Sequence, residues 1–413
     1  MRSIKFFQRS ILTFFALFAI LSTTSCASGT KPFGVIFTRA DSENGLDTYM
    51  DIYKITDNTQ GQIEQLTFTP TIGEYYFFAS PDGTTLVFRT EWYSAFDEPE
   101  SELALEIPRS VYMLDTVTKK LTNITDLLAD DKYHVVMKDF SMDWSLDQKQ
   151  FMVIENKETD DKFESFLKFM DVDGKNRKEI SIPNAGEPLS FVQSAKWSPD
   201  GKKILLMQGF GILTKARMTN PGDALLVYDI ESKDIKKLTN YTDACTQAKW
   251  SPNSQQIVMS CSFEPVIPDG PDGRGPDTIR IFDIAKPDQA YEHIGFSPCY
   301  DPSWSPNGKQ IVFVCDKGPQ PQGPFDKTPP KKGLFVVNAN GTEFREVDLG
   351  DLGNLPGRIF DPTWTPDGTQ IVYVAGAENY QTQIYSINLD GSNQVMLTKE
   401  EASYRVISVY PVP

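Results

Sequence analysis

Four cysteines share one spacing. Cys245 and Cys261 lie five residues before and eleven after Trp250, and Cys299 and Cys315 lie five before and eleven after Trp304. Thiols so placed can oxidise to disulfides if the chain between them doubles back. The midpoints are Asn253 and Asn307, each directly after a Ser-Pro pair. Residues equidistant from a hairpin turn face each other across antiparallel strands, roughly 4.5 to 5.5 Å apart at Cα, which suits a disulfide. The spacing predicts Cys245–Cys261 and Cys299–Cys315 bridges that pin strand ends, and with them an oxidising compartment. Metal chemistry has less to work with, because His134 and His293 are the only two histidines. Asp171-Val-Asp-Gly-Lys-Asn176 carries carboxylates at alternate positions, like the start of a calcium loop. It lacks the later Glu such a loop needs, so it reads as an Asp-Gly hairpin turn, as do Asn338–Gly341 and Asn388–Gly391. The sequence contains no Gly-x-Ser-x-Gly elbow, His-Glu-x-x-His helix motif or Gly-Lys-Ser/Thr loop. Peptidase, zincin and P-loop readings lose their usual support, and no catalytic residue, metal ligand or cofactor is assigned.

The elements that position these cysteines are a repeat. One turn recurs as Phe78-Ala-Ser-Pro-Asp-Gly83, Trp144-Ser-Leu-Asp147, Trp197-Ser-Pro-Asp-Gly201, Trp250-Ser-Pro-Asn253, Trp304-Ser-Pro-Asn-Gly308 and Trp364-Thr-Pro-Asp-Gly368. A β-branched run follows each, such as Ile204-Leu-Leu206 or Ile311-Val-Phe313. Turn residues between two apolar runs make a β-hairpin. A third run ends in Asp or Asn, as in Leu225-Leu-Val-Tyr-Asp229, and a fourth closes on Leu-Thr at 121–122, 238–239 and 397–398. Four strands, A to D, therefore recur every 50 to 65 residues, and repeats of this kind stack into one continuous architecture. The tryptophans form a column of which four are read as blade packing, while Trp92 falls in a loop.

Strand counting gives the blade number. Six turn motifs alone would allow a six-bladed ring. However, Val35–Thr38, Met50–Tyr53 and Gln65–Thr67 fit B, C and D strands ahead of the first motif, and Tyr404–Pro411 fits a lone A strand after the last. The expected fold is all-β: a seven-bladed β-propeller of four-stranded antiparallel blades, closed when the C-terminal strand joins the N-terminal ones. Closure removes the free edges that open sheets must protect.

The Trp-Ser-Pro-Asp-Gly turn, the β run behind it and the later Leu-Thr resemble the TolB-like propeller repeat over nearly all of residues 34 to 413. The resemblance implies the ring but little about chemistry, because such blades serve scaffolds, peptidase lids and lyases. The family's namesake joins a six-bladed ring to an N-terminal α/β domain; no such domain is read here, and the count is seven blades. Its particular partners are not carried over.

The first 25 residues read as an export signal. Arg2, Lys5 and Arg9 precede the apolar run Ile11–Leu21, and small residues lead to Cys26. Its eleven residues are too few to span a bilayer. Leu21-Ser-Thr-Thr-Ser-Cys26 resembles a bacterial lipobox, with Thr23 where an aliphatic residue is usual, which implies lipid on Cys26. Ala27 then resembles the outer-membrane sorting pattern. The expected organisation is a signal peptide over 1–25, a lipidated tether over 26–33 and one propeller over 34–413. The expected location is the bacterial cell envelope, on the periplasmic or surface side, with the lipid as its only hold on the membrane.

Charge excludes other partners. Lys plus Arg number 40 against 56 Asp plus Glu, a net charge of -16, and the leader itself holds only basic charges. So acidic a surface repels phosphate backbones and anionic lipid, so nucleic acid is not an expected partner. The A–B and C–D turns are short, whereas B–C connections are long at 91–108, 208–223, 262–277 and 316–333. They carry Trp92, Tyr93, Phe96, Phe210, Ile267, Arg274 and Phe325, with proline-rich stretches at 265–276 and 319–325. Long loops on one face of a rigid ring carry recognition, and proline lowers the ordering cost of binding. The expected function is a non-catalytic envelope scaffold that grips a protein or glycan by this face. The competing expectation is a metal-dependent polysaccharide lyase or hydrolase at the channel: resemblance to seven-bladed oligogalacturonate lyases would imply several metal-bound histidines, where only His134 and His293 exist.

Overall fold

The computed structural model describes residues 31–412 except 44–45, 60, 68–72, 92–110, 126–140, 159–162, 184–189, 215–216, 240–244, 263–276, 287–291, 295–297, 318–330, 355–356, 378–380 and 401. Seven four-stranded antiparallel sheets make a β-propeller. Blade 1 comprises Gly73–Ala79, Thr85–Glu91, Val111–Asp115 and Leu121–Asn123; blade 2, Met142–Trp144, Gln150–Glu158, Phe163–Asp171 and Lys178–Ile182. Blade 3 comprises Ser190–Trp197, Lys203–Thr214, Arg217–Asp229 and Ile235–Lys237; blade 4, Cys245–Trp250, Gln256–Ser262, Asp277–Asp283 and Glu292–Ile294. Blade 5 comprises Cys299–Trp304, Gln310–Lys317, Lys331–Asn338 and Arg345–Val347; blade 6, Gly357–Trp364, Gln370–Ala377, Thr382–Asn388 and Val395–Met396. In each, strands A to D follow chain order.

Blade 7 is built from both ends of the chain. Ser403–Pro411 supplies strand A and pairs antiparallel with Phe33–Glu43, followed by Leu46–Ile55 and Ile63–Gln65. The seven-blade expectation holds, and the closing pair extends from Phe33↔Pro411 to Ala40↔Ser403. Tyr410 seals the seam. Its ring fills the space over Gly34 and Gly83, where an added Cβ would come within 2.0 and 2.5 Å of it, and its hydroxyl donates to the Ile55 carbonyl at 3.0 Å. Lys54 lies 4.9 Å from the centre of that ring and donates to Thr116 and to the Gly83 carbonyl, which ties blade 7 to blade 1.

The core is divided into seven layers, each between neighbouring blades. Successive side chains of a strand point to opposite faces, so one strand feeds two layers. Val258 packs toward blade 5, while Ile257, Met259 and Cys261 pack toward blade 3. Because both faces of a central strand are buried, it reads as an unbroken apolar run, as in Ile311-Val-Phe-Val-Cys315, with every residue fully buried. The A strand is an edge strand of every sheet, and those of blades 2 and 3, 4 and 5, 5 and 6, and 6 and 7 touch one another.

The Leu-Thr signature has a structural cause. Thr67, Thr239 and Thr398 each accept a hydrogen bond from a backbone N–H of the C strand, at Ile52, Leu225 and Ile384, all at 2.9 Å. In blade 1 this role falls to Thr125, which accepts from Val111 N at 2.9 Å. The matching pair there is Ile124-Thr125, not Leu121-Thr122: Ile124 is buried, whereas Leu121 is 53% exposed.

Candidate functional site

The two ends of the ring differ. On the A–B turn face, the six repeat turns satisfy their own polar groups. In each, a Ser or Thr hydroxyl donates to the Asp or Asn two residues on, as from Ser80 to Asp82, Ser198 to Asp200 and Thr365 to Asp367, all at 2.7 Å. The same acceptor oxygen takes the backbone N–H two residues further, and Gly83, Gly201, Gly308 and Gly368 supply the left-handed residue. Hydrogen bonds from Ser145 and Lys149 hold the Asp147 carboxyl below its ordinary value. These carboxylates are occupied by the turn. Asp171 is likewise engaged by Gln150 and Asn176, with Gly174 at φ 78°, so the calcium-like stretch is the C–D turn of blade 2.

The B–C face is built differently. Both predicted disulfides form there: Cys245–Cys261 and Cys299–Cys315, with Cα atoms 4.0 and 4.1 Å apart, closer than the expected spacing. They join directly paired residues at the ends of strands A and B, and all four cysteines are fully buried between blades. The connection expected as a loop over 208–223 is instead a β-hairpin. Strands B and C of blade 3 stay paired through Ile212↔Thr219 to Thr214↔Arg217, while the last pairing of B with strand A is Phe210↔Ser190. Four residues of ribbon beyond that point project by roughly 13 Å. A loop was expected because Gly209, Gly211, Asn220, Pro221 and Gly222 read as breakers; strand pairing overrides them. A second hairpin, in blade 7, carries pairing out to Glu43↔Leu46.

Of the residues expected to recognise a partner, Phe210 lies on strand B at the base of the blade 3 hairpin. Trp92, Tyr93, Phe96, Ile267, Arg274 and Phe325 lie outside the described residues, as do Cys26 and His134. His293 is on the D strand of blade 4 opposite Arg280, within the sheet rather than in a D–A connection. Among the described residues, no group of three or more His, Cys, Asp or Glu side chains is arranged to hold a metal ion, and no helix is long and apolar enough to cross a membrane.

One polar cluster at this face was not anticipated. Asp316, directly after Cys315, accepts hydrogen bonds from the Tyr300 hydroxyl and from Lys332 Nζ at 3.0 Å. Lys332 Nζ also lies 4.1 Å from the centre of the Tyr300 ring. Strands A, B and C of blade 5 are thereby tied together where the 318–330 connection leaves the sheet. Burial raises the Asp316 carboxyl to about 6. The folded chain therefore holds this proton more tightly than the unfolded chain, so the stability it confers is present below about pH 4 and lost as pH rises toward 6. Asp316→Asn and the parent should melt together near pH 4, and the variant should be about 1 to 3 kcal/mol more stable at pH 7. Parallel melting curves at both pH values would contradict that reading. The available signal was the polar pair flanking the disulfide, Tyr300 after Cys299 and Asp316 after Cys315.

The tryptophan column stands at the end of strand A in blades 2 to 6. The indoles of Trp144, Trp250, Trp304 and Trp364 donate to carbonyls of the preceding blade at Phe78, Lys196, Lys249 and Ser303, at 3.1 to 3.2 Å. Trp197 is the exception: its indole N–H has no partner among the described residues, and its ring stacks on Phe169 at 5.8 Å.

Solved structures with this fold include peptidases. A prolyl endopeptidase aligns with a TM-score of 0.57 at 14% identity, covering 91% of this chain and 50% of that one. Prolyl oligopeptidase B from Galerina marginata gives 0.56 at 12% identity, with coverages of 91% and 52%. The β-propeller domain of the Trilobed protease from Pyrococcus furiosus gives 0.50 at 13% identity, with coverages of 81% and 85%. This chain thus spans about half the length of the prolyl peptidases it matches, and at these identities the likeness is one of fold. Residues 147–401, more than half of the chain, match the family model for the TolB beta propeller domain, and the chain belongs to that family.

Proposed function

We propose that this chain is a non-catalytic binding module of the bacterial envelope, anchored by lipid on Cys26, which grips a protein or glycan with its B–C face. The observation that carries this reading is the contrast between the two ends of the ring. The A–B turns are uniform and saturate their own polar groups. Variation in length is concentrated at the other end, where two disulfides stiffen neighbouring blades and a paired ribbon projects from blade 3. A rigid platform under varied connections is the arrangement that recognition uses.

The test is in-cell crosslinking of the full chain, followed by affinity purification and mass spectrometry. A variant with 265–276 and 319–325 shortened to tight turns should keep the parent's melting behaviour and lose its crosslinked envelope partner or glycan. Unchanged capture by a folded variant would overturn the proposal. Release of unsaturated or hydrolysed sugar by the purified chain would favour the lyase or hydrolase reading instead.

A further inference from the structure

The chain enters the ring by the A–B turn face. Strand A of blade 7 ends at Pro411 and strand B begins at Phe33, so an open junction stands where the other blades have an A–B turn. Lys31 N donates to Asp367 Oδ2, in the A–B turn of blade 6, at 3.0 Å. Phe33 N donates to Asn58 Oδ1, in the C–D turn of blade 7, at 2.9 Å, and Asn58 N returns a bond to the Phe33 carbonyl at 2.9 Å. The entry point is thus fixed between two turns of one face. From Lys31 back to Cys26 the chain extends at most roughly 18 Å. Strand B of blade 7, 11 residues long, then carries it to the B–C face, roughly 33 Å away. A lipid on Cys26 reaches the turn face and stops well short of the other.

Exposed apolar side chains gather at the same end. Among the described residues, the large hydrophobic side chains left exposed are Val117, Leu121, Leu146, Val395 and Met396. Val117 and Leu146 are the most exposed, at 69% and 66%, and stand in the C–D turn of blade 1 and the A–B turn of blade 2. Leu146 takes the place that proline holds in the other five repeat turns. Leu121, Val395 and Met396 open D strands directly behind C–D turns, in blades 1 and 6. Blades 6, 7, 1 and 2 are consecutive around the ring and share core layers, so these residues flank the entry point. Apolar surface so placed marks an interaction face.

Charge divides the same way. The A–B and C–D turns hold 9 Lys and Arg against 11 Asp and Glu, whereas the B–C and D–A connections hold 8 against 22. The net negative charge of the connections therefore sits almost wholly at the B–C end. An anionic lipid surface repels that end and leaves the nearly neutral turn end free to approach.

We infer that the A–B and C–D turn face is a membrane-docking surface, set against the lipid headgroups of the bilayer that holds the anchor, with the B–C face directed away from it. The inference rests on the lipid at Cys26 proposed above. Apolar side chains that enter the headgroup boundary add to the hold of a lipid chain. The B–C face is then presented about one strand's length off the membrane, open to its partner.

The probe is a preformed vesicle of phosphatidylethanolamine and phosphatidylglycerol, to which the mature full chain is added. The reference is Cys26→Ser, which cannot take the lipid, in solution. A membrane-impermeant amine reagent is applied, and modification of each lysine is read by mass spectrometry. On vesicles, Lys120 and Lys149 of the turn face should be modified at least several-fold less than in the reference, with Lys331 and Lys399 of the opposite end unchanged. The double variant Val117→Asp, Leu146→Asp should stay on the vesicles and lose that protection. Protection of Lys331 and Lys399 instead, or of both ends equally, overturns the inference, as does full protection in the double variant. Protection of Lys120 and Lys149 in Cys26→Ser without vesicles, rising with protein concentration, would give the face to a second copy of the chain and also overturn it. Intact mass separates this from failure of the anchoring reading. A parent chain without lipid on Cys26 sinks that reading and takes this one with it, whereas a lipidated chain protected at the wrong end sinks the orientation alone.

Discussion

A chain ending at residue 402 is expected to lose cooperative folding, with a destabilisation of at least about 5 kcal/mol, on the scale of a whole domain's stability. Ser403–Pro411 is the innermost strand of blade 7. Its removal exposes the edge of Phe33–Glu43 from Phe33 to Ala40, a row of unpaired backbone groups that invites aggregation. It also takes away Tyr404, fully buried against Phe37 with ring centres 5.5 Å apart, and Tyr410, which fills the seam over Gly34 and Gly83. The loss is thus felt in both layers that flank blade 7. Tyr410→Phe is the matched control. It keeps the ring and deletes only the hydroxyl that donates to Ile55, so it should cost about 1 kcal/mol. Urea melts and size-exclusion profiles of both variants check this. A truncated chain that remains monomeric and melts like the parent would show that the seam contributes little.

Trp304→Ala should destabilise by about 3 to 5 kcal/mol, the range for a buried aromatic replaced by alanine. Trp304 is 8% exposed, belongs to the core layer that holds Cys299, Cys315, Ile311 and Ile281, and its indole donates to the Lys249 carbonyl of the neighbouring blade at 3.2 Å. The equivalent change at Trp197 should cost roughly half as much or less, because that ring is partly exposed and its N–H has no hydrogen-bond partner among the described residues. Trp304→Phe separates the two contributions: it retains most of the packing and gives up the inter-blade bond, worth about 1 kcal/mol. Equal losses for Trp304→Ala and Trp197→Ala in urea unfolding would mean that the indole latch is not what distinguishes them.

The architecture and both disulfides are legible in the sequence because they follow from short-range rules. Turn residues such as Ser198-Pro-Asp-Gly201 set hairpins locally, alternation sets which face is buried, and the symmetric placement of Cys245 and Cys261 about Asn253 follows from antiparallel pairing. Ring closure was legible too, since leftover B, C and D strands at one terminus require an A strand from the other. What was not legible depends on which backbone groups pair, which composition does not specify. The glycines and Pro221 around the blade 3 hairpin read as a loop, and only cross-strand pairing keeps them in a ribbon. The Leu-Thr signature was misplaced in blade 1 because Leu121-Thr122 and Ile124-Thr125 look alike in composition. Which threonine caps Val111 is decided by the fold of strand D over strand C.

The same division holds for the sites. By itself the sequence determined a seven-bladed ring, two cross-strand disulfides and one elaborated face, since each is written in repeat spacing and strand count. Only the tertiary structure decided that Asp316 lies between Tyr300 and Lys332, and that Asp301 is bonded to Gln247 on one side and Asp361 on the other. Those groups are 16 to 60 residues apart in the chain. A charge's environment depends on what surrounds it in space: for Asp316 the surroundings come from the two strands flanking it in blade 5, and for Asp301 from the blades on either side.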